Sequence, residues 1–294
     1  MFIRRLPKFE YHAPASLSEA LDYLSRYSGK AKILAGGTDL LVSMKKREVL
    51  PEHLINLKGI QELKHIRYDK KRGLEIGGLV TLREIERSTI VKEKYGALWD
   101  AANVMAAPQI RSLATIGGNL CSAVPSADTA PPLVALGATV TLAGKNGERT
   151  LLVEDFFAGP EASVLNPVEI LSRVFIPSPP ENSGGAYLKL MRRNAMDLAL
   201  VGVAACLKLD GGKRVCQEAR IALGAVAPTP MRALRAEEVL LNKEPDEQLA
   251  MEAGKIAAQE ARPISDVRAS KEYRTEMLRV LTKRAVMEAL KRVK

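Results

Sequence analysis

Apolar positions near the start of the chain switch between helical spacing and short unbroken runs. A capping box at 16–19 precedes apolar residues at helical spacing, which predicts a helix over about 17–27. The run at 31–35 ends at a pair of glycines and predicts a buried strand, and 53–57 predicts another. The beginning of the chain therefore alternates strands with helices.

The pattern then changes to hairpins separated by short helices. In chain order it predicts a hairpin of strands 66–68 and 74–76, a helix from a capping box at 81–84, a helix over 95–106, a short helix from Pro131-Pro132, a hairpin turning at 145–147 and a strand over 168–176. Residues 177–185, PSPPENSGG, are dense in turn-forming types and predict a linker.

Beyond this linker the pattern predicts a small antiparallel sheet and then helices. The strands are expected at 186–191, 198–209 and 214–226, and the helices at 233–242, 246–261 and 270–292 with Ser270 as a cap. Hairpins, a separate sheet and a helical tail favour the α+β class over a doubly wound sheet.

Composition agrees with an ordinary globular protein of about two domains. The chain has 294 residues, of which 47% are hydrophobic and 27% charged. Its apolar runs, Leu198–Leu207 and Leu133–Ala143, are far shorter than the roughly 20 residues of a membrane span. Because no signal-peptide pattern follows the basic N-terminus, we expect a cytoplasmic protein without a membrane span.

Charge and cysteine content narrow the function classes. The net charge is +10, but lysines and arginines are mixed with acidic residues and only 4% of residues are aromatic, which disfavours nucleic-acid binding. The charge better suits a phosphate-bearing ligand and partner subunits. Three cysteines, Cys121, Cys206 and Cys216, are too few for an iron–sulfur cluster in this chain.

The first segment that suggests chemistry is Leu34–Leu41, LAGGTDLL, between a predicted strand and helix. Paired glycines at such a turn expose main-chain N–H groups and let a pyrophosphate approach closely. Thr38 or Asp39 is expected to cap the helix that runs through Lys46. For Asp39 a capping role is more plausible than a contact with the ligand, because a carboxylate repels phosphate. A glycine turn needed only for chain reversal explains the segment equally well.

The second segment is Thr115–Asn119, TIGGN, followed by Ser122 and, within the stretch 125–128, by Asp128. We interpret it as an irregular loop, rich in donors and acceptors, that lies along a polar ligand. Gly117 and Gly118 would face phosphate, and Asp128 would accept from a ribose or ring N–H. The alternative is that Asp128 only caps the helix at Pro131-Pro132.

Several motifs of catalysis are missing from the sequence. It contains no G-x-G-x-x-G and no phosphate-binding G-x-x-x-x-G-K-[ST]. His12, His53 and His65 are far apart in the chain and lack metal-ligand spacing, so we predict no metal site. We also predict no catalytic side chain, and any chemistry is expected to reside in a bound cofactor.

Taken together, these segments resemble the molybdenum-hydroxylase flavoproteins, the FAD-binding medium subunits of carbon monoxide dehydrogenase and xanthine dehydrogenase-type enzymes. The likeness covers essentially the whole chain. Besides the two glycine segments, it rests on PQIRSLATIGGN at 108–119, VEILSRVFIP at 168–177 and PISDVRAS at 263–270.

The resemblance implies a two-lobed FAD-binding module of the vanillyl-alcohol-oxidase (PCMH-like) type over 1–178, with lobes of about 1–57 and 58–178. A C-terminal domain at 179–294 would combine a three-stranded antiparallel sheet with helices. It also implies a set of FAD contacts: Leu34, Ala35, Gly36, Gly37, Thr38, Asp39, Leu40, Leu41, Thr115, Ile116, Gly117, Gly118, Asn119, Ser122, Asp128, Leu171 and Lys189. Asp197 and Leu198 would lie where an acceptor-side loop meets the flavin ring.

The resemblance further implies a place in a larger oxidoreductase. Electrons would pass from [2Fe–2S] clusters of a small subunit to FAD on this chain and then to NAD⁺ or another acceptor. A molybdopterin-containing large subunit would oxidise the substrate, and the assembly would be a dimer of heterotrimers. Two alternatives stay open: a stand-alone FAD-dependent oxidoreductase of the same fold, such as a sugar-nucleotide reductase, and a flavin-free assembly subunit.

Overall fold

A computed structural model of the chain describes residues 5–294. The helices are α1 (Leu17–Arg26), α2 (Leu40–Lys46), α3 (Leu82–Arg87), α4 (Thr89–Lys94), α5 (Gly96–Val104), α6 (Pro108–Arg111), α7 (Ile116–Ser122), α8 (Ala130–Ala135), α9 (Leu234–Leu240), α10 (Glu247–Glu260) and α11 (Lys271–Lys291). The first four residues of the predicted first lobe lie outside the described range.

The chain also forms strands. They are β1 (Glu10–His12), β2 (Ala31–Leu34), β3 (His53–Asn56), β4 (Ile66–Asp69), β5 (Gly73–Gly77), β6 (Thr139–Gly144), β7 (Gly147–Leu152), β8 (Phe157–Gly159), β9 (Ala162–Ser163), β10 (Ile170–Pro177), β11 (Ser183–Leu190), β12 (Val201–Leu209), β13 (Cys216–Gly224) and β14 (Met231–Arg232).

The strands form separate sheets along the chain. A parallel sheet has the order β1-β3-β2, an antiparallel sheet the order β4-β5-β10-β6-β7, and a second antiparallel sheet the order β11-β12-β13-β14, while β8 pairs with β9. This arrangement confirms the α+β class. The two-residue strand β14 adds a fourth member to the predicted three-stranded sheet.

Local signals explain several of these elements. Ser16 Oγ accepts the Glu19 N–H at 3.2 Å at the start of α1, and Ser270 Oγ caps α11 in the same way. At α3 both halves of the capping box form, since Thr81 accepts from the Glu84 main chain and the Glu84 side chain accepts from Thr81. These caps satisfy N–H groups that a helix start otherwise leaves without partners.

Some predicted elements need correction. The sequence pattern missed β1, α4 and α6, which are short, and α7 occupies the segment that was interpreted as an irregular loop. Strand β11 begins at Ser183, inside the predicted linker, so only 178–182 separate it from β10. We propose that the boundary between the two domains lies within this shorter connection, residues 178–182.

The C-terminal sheet is buried on both faces. The paired residues Tyr187, Ala204 and Ala222 pack into the core of the preceding module, together with α5 and α8. The next row of the sheet, Ala186 and Ala205 with Ile221, belongs to the core beneath α9, α10 and α11. Because side chains alternate along a strand, one sheet joins two hydrophobic cores.

No helix within residues 5–294 combines the length and apolar character that a bilayer crossing requires.

A glycine in α10 allows close packing of the two long C-terminal helices. A Cβ at Gly254 would overlap the Arg279 carbonyl oxygen of α11. Alanine favours a helix by about 1 kcal/mol over glycine, but overpacking a core costs roughly 1–3 kcal/mol. We therefore expect Gly254→Ala to lower the free energy of unfolding by about 1 kcal/mol, measured by urea denaturation.

The matched control is Gly211→Ala, in a turn where no atom lies within 4 Å of the added Cβ. It should leave stability nearly unchanged. If Gly254→Ala were as stable as the parent protein, the helix contact would not be limiting.

Candidate functional site

The chain leaves β2 at Leu34 and turns through Gly36 and Gly37 into α2. Gly37 has φ of +80°, in the left-handed region that glycine adopts without strain. Among the hydrogen bonds that residues 5–294 make with one another, none is donated by a main-chain N–H of 36–40. Five consecutive donors at a strand-to-helix turn can surround an anion.

The two glycine segments converge, although they lie about eighty residues apart in the chain. A Cβ at Gly36 would overlap the main chain at Leu113, just before Thr115. One at Gly118 would lie 3.9 Å from the Ala35 Cβ. The Ser122 hydroxyl donates to Asp39 Oδ2 at 2.7 Å, so a hydrogen bond also joins the segments.

The bond to Ser122 corrects the expected role of Asp39. Asp39 occupies the N-cap position of α2, but its side chain makes no capping hydrogen bond there. Thr38 precedes this position and does not cap the helix either. Because the carboxylate is directed towards Ser122, the N–H groups of the glycine turn stay available to another acceptor.

The second segment is a helix start and not the irregular loop predicted. Thr115 is the N-cap of α7, and its Oγ accepts the Gly118 N–H at 3.0 Å. The N–H groups of Ile116 and Gly117 donate to the carbonyls of Val80 and Gly78. With these donors engaged, the second segment contributes mainly close main-chain approach, and the first contributes the run of five free N–H groups.

Asp128 is part of a buried polar cluster with Tyr187 and Lys189. The Tyr187 hydroxyl donates to its Oδ1 and the Lys189 ammonium to its Oδ2, both at 2.8 Å. The side chains of Asp128 and Lys189 are 5% and 1% exposed. Asp128 therefore does not cap α8, whose N-cap is Thr129, and it connects the loop after α7 to β11.

Burial and neighbouring charges shift the pKa values of Asp128 and Tyr187 in this cluster. Burial raises the pKa of the Asp128 carboxyl, and the Lys189 ammonium and the two hydrogen bonds partly counteract that rise. Burial, and then the adjacent Asp128 charge, raise the pKa of Tyr187 well above its ordinary value. Tyr187 thus stays protonated at neutral pH and remains a hydrogen-bond donor.

Asn119 and Leu171 extend the site on either side. Asn119 Oδ1 accepts from the Thr129 hydroxyl at 2.5 Å, next to Asp128. Leu171 is buried in β10, and its carbonyl lies where a Cβ on Gly78 would overlap it. The Gly78 carbonyl oxygen in turn accepts the Gly117 N–H, so Leu171 is linked to the second segment through Gly78.

Lys189 also contacts the loop expected on the acceptor side. Its ammonium donates to the Asp197 carbonyl at 2.9 Å. The Asp197 carboxylate accepts the N–H groups of Arg192 and Arg193 at 2.7 and 3.1 Å, and these bonds shape the loop. Leu198, which follows, is 51% exposed.

The sequence analysis missed Gly78 and Tyr187. The sequence does contain a signal for Tyr187. Tyr187 and Lys189 are two residues apart in β11, so their side chains lie on the same face of the strand, and a lysine on that apolar face needs a polar partner nearby. The whole set fits a dinucleotide diphosphate: five free donors lie at a glycine turn, close main-chain approach surrounds it, and its nearby carboxylate is hydrogen-bonded to Ser122.

Comparison with known families extends over nearly the whole chain. Residues 7–179 match the model of the FAD binding domain in molybdopterin dehydrogenase, and residues 186–289 match the CO dehydrogenase flavoprotein C-terminal domain.

Curated relatives agree with these two matches. The xanthine dehydrogenase FAD-binding subunit of Escherichia coli O157:H7 is 34% identical over 281 residues, covering 95% of each chain. The carbon monoxide dehydrogenase medium chain of Afipia carboxidovorans is 36% identical over 286 residues, 97% of this chain and 98% of that one.

A solved structure is similar throughout its length. It is a carbon monoxide dehydrogenase chain from Hydrogenophaga pseudoflava, solved in a form that lacks the Mo-pyranopterin moiety of the molybdenum cofactor. The TM-score is 0.94 at 36% identity, covering 99% of this chain and 100% of that chain.

Gly36 offers a direct test of the convergence. In Gly36→Ala the added Cβ overlaps the Leu113 carbonyl and separates the glycine segments. We expect the variant to fold but to bind FAD about tenfold more weakly than the parent chain, corresponding to roughly 1.4 kcal/mol, and so to retain less flavin. Flavin absorbance per chain after gel filtration measures this, and fluorescence titration with FAD gives the affinity.

Gly159→Ala is the control, since no atom lies within 4 Å of its added Cβ. Equal flavin content in Gly36→Ala and Gly159→Ala would show that the approach of the segments is unimportant for binding.

The buried pair offers a second test, which separates stability from binding. In Lys189→Met the Asp128 carboxylate loses its counter-charge, and we expect a loss of about 3–5 kcal/mol in the free energy of unfolding. The double variant Asp128→Asn/Lys189→Met removes both charges and should recover much of that stability. Urea denaturation of the apo chains measures both effects.

If these side chains contact FAD, the double variant will still bind it more weakly than the parent chain. Full recovery of both stability and FAD affinity would mean that the pair has only a structural role.

Proposed function

Because the chain belongs to the family of FAD-binding subunits of molybdenum hydroxylases, we propose that it carries electrons within such an enzyme, from the [2Fe–2S] clusters of a small subunit through FAD to an acceptor. Substrate oxidation would take place on a molybdopterin-containing large subunit. The chain would then need no acid or base of its own, in agreement with the sequence analysis.

The convergence of the two glycine segments carries this proposal. The free N–H groups of 36–40 would hold the diphosphate, and the turn at Gly37 would keep them directed to one point. Residues 115–119 would flank the same group at main-chain distance, and Ser122 would keep the Asp39 carboxylate turned aside. We propose all residues implied by the family resemblance as FAD contacts.

The buried cluster at β11 would position the other end of the cofactor. Lys189 holds both Asp128 and the carbonyl of Asp197, so it joins the cofactor side of the site to the loop that includes Leu198. When bound, FAD supplies the capacity to exchange electrons with a partner. The chain's own contribution is to orient that group and fix the loop beside it.

The partner subunits are supported by the relatives and by charge. The relatives include a medium chain of carbon monoxide dehydrogenase, and the solved relative belongs to an enzyme with a molybdenum cofactor. The net charge of +10 suits acidic surfaces on neighbouring subunits. We propose a heterotrimer with a large and a small subunit, paired into a dimer, with NAD⁺ as one candidate acceptor.

The test is to tag the chain in its native host and purify it in mild buffer. We expect one FAD per chain, two co-purifying subunits, and molybdenum and iron in the complex. A small subunit whose iron–sulfur clusters have been reduced with dithionite, and which has been freed of the excess, should bleach the flavin absorbance when it is mixed with the oxidised flavin-containing chain. The Gly36→Ala complex should retain the partner subunits but bleach far less, since its flavin content is lower.

Two outcomes would favour the alternatives. A flavin-containing chain that purifies alone and is reduced directly by a small organic substrate would be a stand-alone oxidoreductase. A complex in which the chain binds no flavin, even after FAD is added, would make it an assembly subunit.

A further inference from the structure

A second cluster of chemically capable side chains lies on the parallel sheet. Glu10 pairs in register with His53 across β1 and β3, and side chains alternate along a strand, so His12 shares the face of Glu10. The fold thus brings together two histidines that are 41 residues apart in the sequence. The sequence analysis found no metal-ligand spacing because the candidate ligands lie on two strands that only the folded sheet brings together.

The three side chains present their donor atoms to a common point. His12 Nε2 lies 3.1 Å from His53 Nδ1, and Glu10 Oε2 lies 3.4 Å from the latter and 4.0 Å from the former. Nitrogen ligands about 2.0–2.1 Å from Zn²⁺ in a tetrahedral site are separated by about 3.3 Å. The donor set therefore needs only small side-chain rotations to coordinate one ion.

Aromatic neighbours hold both imidazole rings in place. Tyr27 stacks on His53 with ring centroids 3.7 Å apart, and Tyr23 lies 4.6 Å from the His12 ring. Tyr23 belongs to α1, and Tyr27 is the residue at its C-cap, so this end of the helix covers the two rings. Rings already fixed by packing lose little conformational freedom when they bind an ion.

The hydrogen bonding of the rings leaves the necessary lone pairs accessible. The two facing nitrogens hydrogen-bond only to each other among residues 5–294. If each ring carries its hydrogen on the outer nitrogen, His12 Nδ1 or His53 Nε2, both facing nitrogens offer a lone pair. A cation at this point would replace a single shared hydrogen bond.

The cluster is separate from the glycine segments. His53 pairs with Ala31 at the beginning of β2, whereas the glycine turn follows Leu34 at its end. Three residues of strand place the two sites roughly 10 Å apart along the sheet. An ion here would also connect β1, a three-residue edge strand, to the central strand β3.

We propose that Glu10, His12 and His53 bind one divalent transition-metal ion, Zn²⁺ by preference, with water completing a four-coordinate site. Two imidazoles and one carboxylate are ligands typical of Zn²⁺ and do not suit the all-oxygen preference of Ca²⁺ or Mg²⁺. The ion has a structural role, because it fastens the edge strand of the lobe that carries the first glycine segment.

The experiment uses the full chain, purified without a polyhistidine tag and freed of metal with a chelator. Titration with Zn²⁺ by calorimetry should give one saturable site per chain. Co²⁺ should give the intense visible absorption of tetrahedral coordination, which Zn²⁺ then abolishes. Zn²⁺ should also raise the melting temperature, since it binds the folded state.

Three variants assign the site. His12→Gln and His53→Gln should weaken Zn²⁺ binding at least about 100-fold, since loss of a supporting neighbour alone costs 10–100-fold. Glu10→Gln, at an exposed position, should weaken it about tenfold without affecting folding. His65→Gln is the matched control, because His65 pairs with Glu75 on another sheet at 2.9 Å and should leave binding unchanged.

The proposal would be overturned by a metal-free parent chain that binds no Zn²⁺ saturably. It would be overturned equally by Zn²⁺ binding of undiminished affinity in His12→Gln and His53→Gln, which would indicate an adventitious ion only. The FAD content of each variant is measured as well. A variant that loses Zn²⁺ but keeps its FAD tests the metal site separately from the proposed electron-transfer role.

Discussion

Close main-chain contact through glycine is the constraint on which the candidate site depends. Gly36 lies against the Leu113 carbonyl, Gly117 against Gly78, and Gly78 against Leu171. At each position a Cβ would push two segments apart, so the contacts form a row that joins the parallel sheet to the antiparallel one. The hydrogen bond between Asp39 and Ser122 forms where this row brings the loops together. Without that row the glycine turn that carries the free N–H groups of 36–40 would not lie beside the second segment.

A second, polar connection joins the module to the C-terminal domain. Asp128 follows the second glycine segment, while its partners Tyr187 and Lys189 belong to β11. Nearby, Asp100 of α5 accepts the Tyr187 N–H at 3.0 Å and an Arg292 N–H at 2.6 Å. Buried charges of this kind are costly unless paired, so they fix the sheet in one position on the module. The C-terminal domain therefore supplies two residues of the candidate site, Tyr187 and Lys189.

Elements with local signals were predictable from the sequence, and elements that depend on distant partners were not. The N-terminal caps of α1 and α3 and the hairpins β4–β5 and β6–β7 were predicted because their signals lie within a few residues. Helix α7 was missed because paired glycines disfavour a helix, and Thr115 with the packing around it overrides that preference. The Asp39–Ser122 bond spans 83 residues, beyond any local pattern. Family resemblance, not local pattern, identified FAD and its proposed contacts.

The doubly buried C-terminal sheet has a consequence for synthesis on the ribosome. Strand β10 completes the first module at Pro177, but β13, whose Ala222 helps to cover α8, ends only at Gly224. At about 5–20 residues per second, the ribosome needs several seconds to make the intervening chain. During that interval the nascent module presents a bare apolar surface to solvent and to chaperones. Slow translation over 178–224 would prolong the exposure, so codon choice in this stretch bears directly on the yield of folded protein.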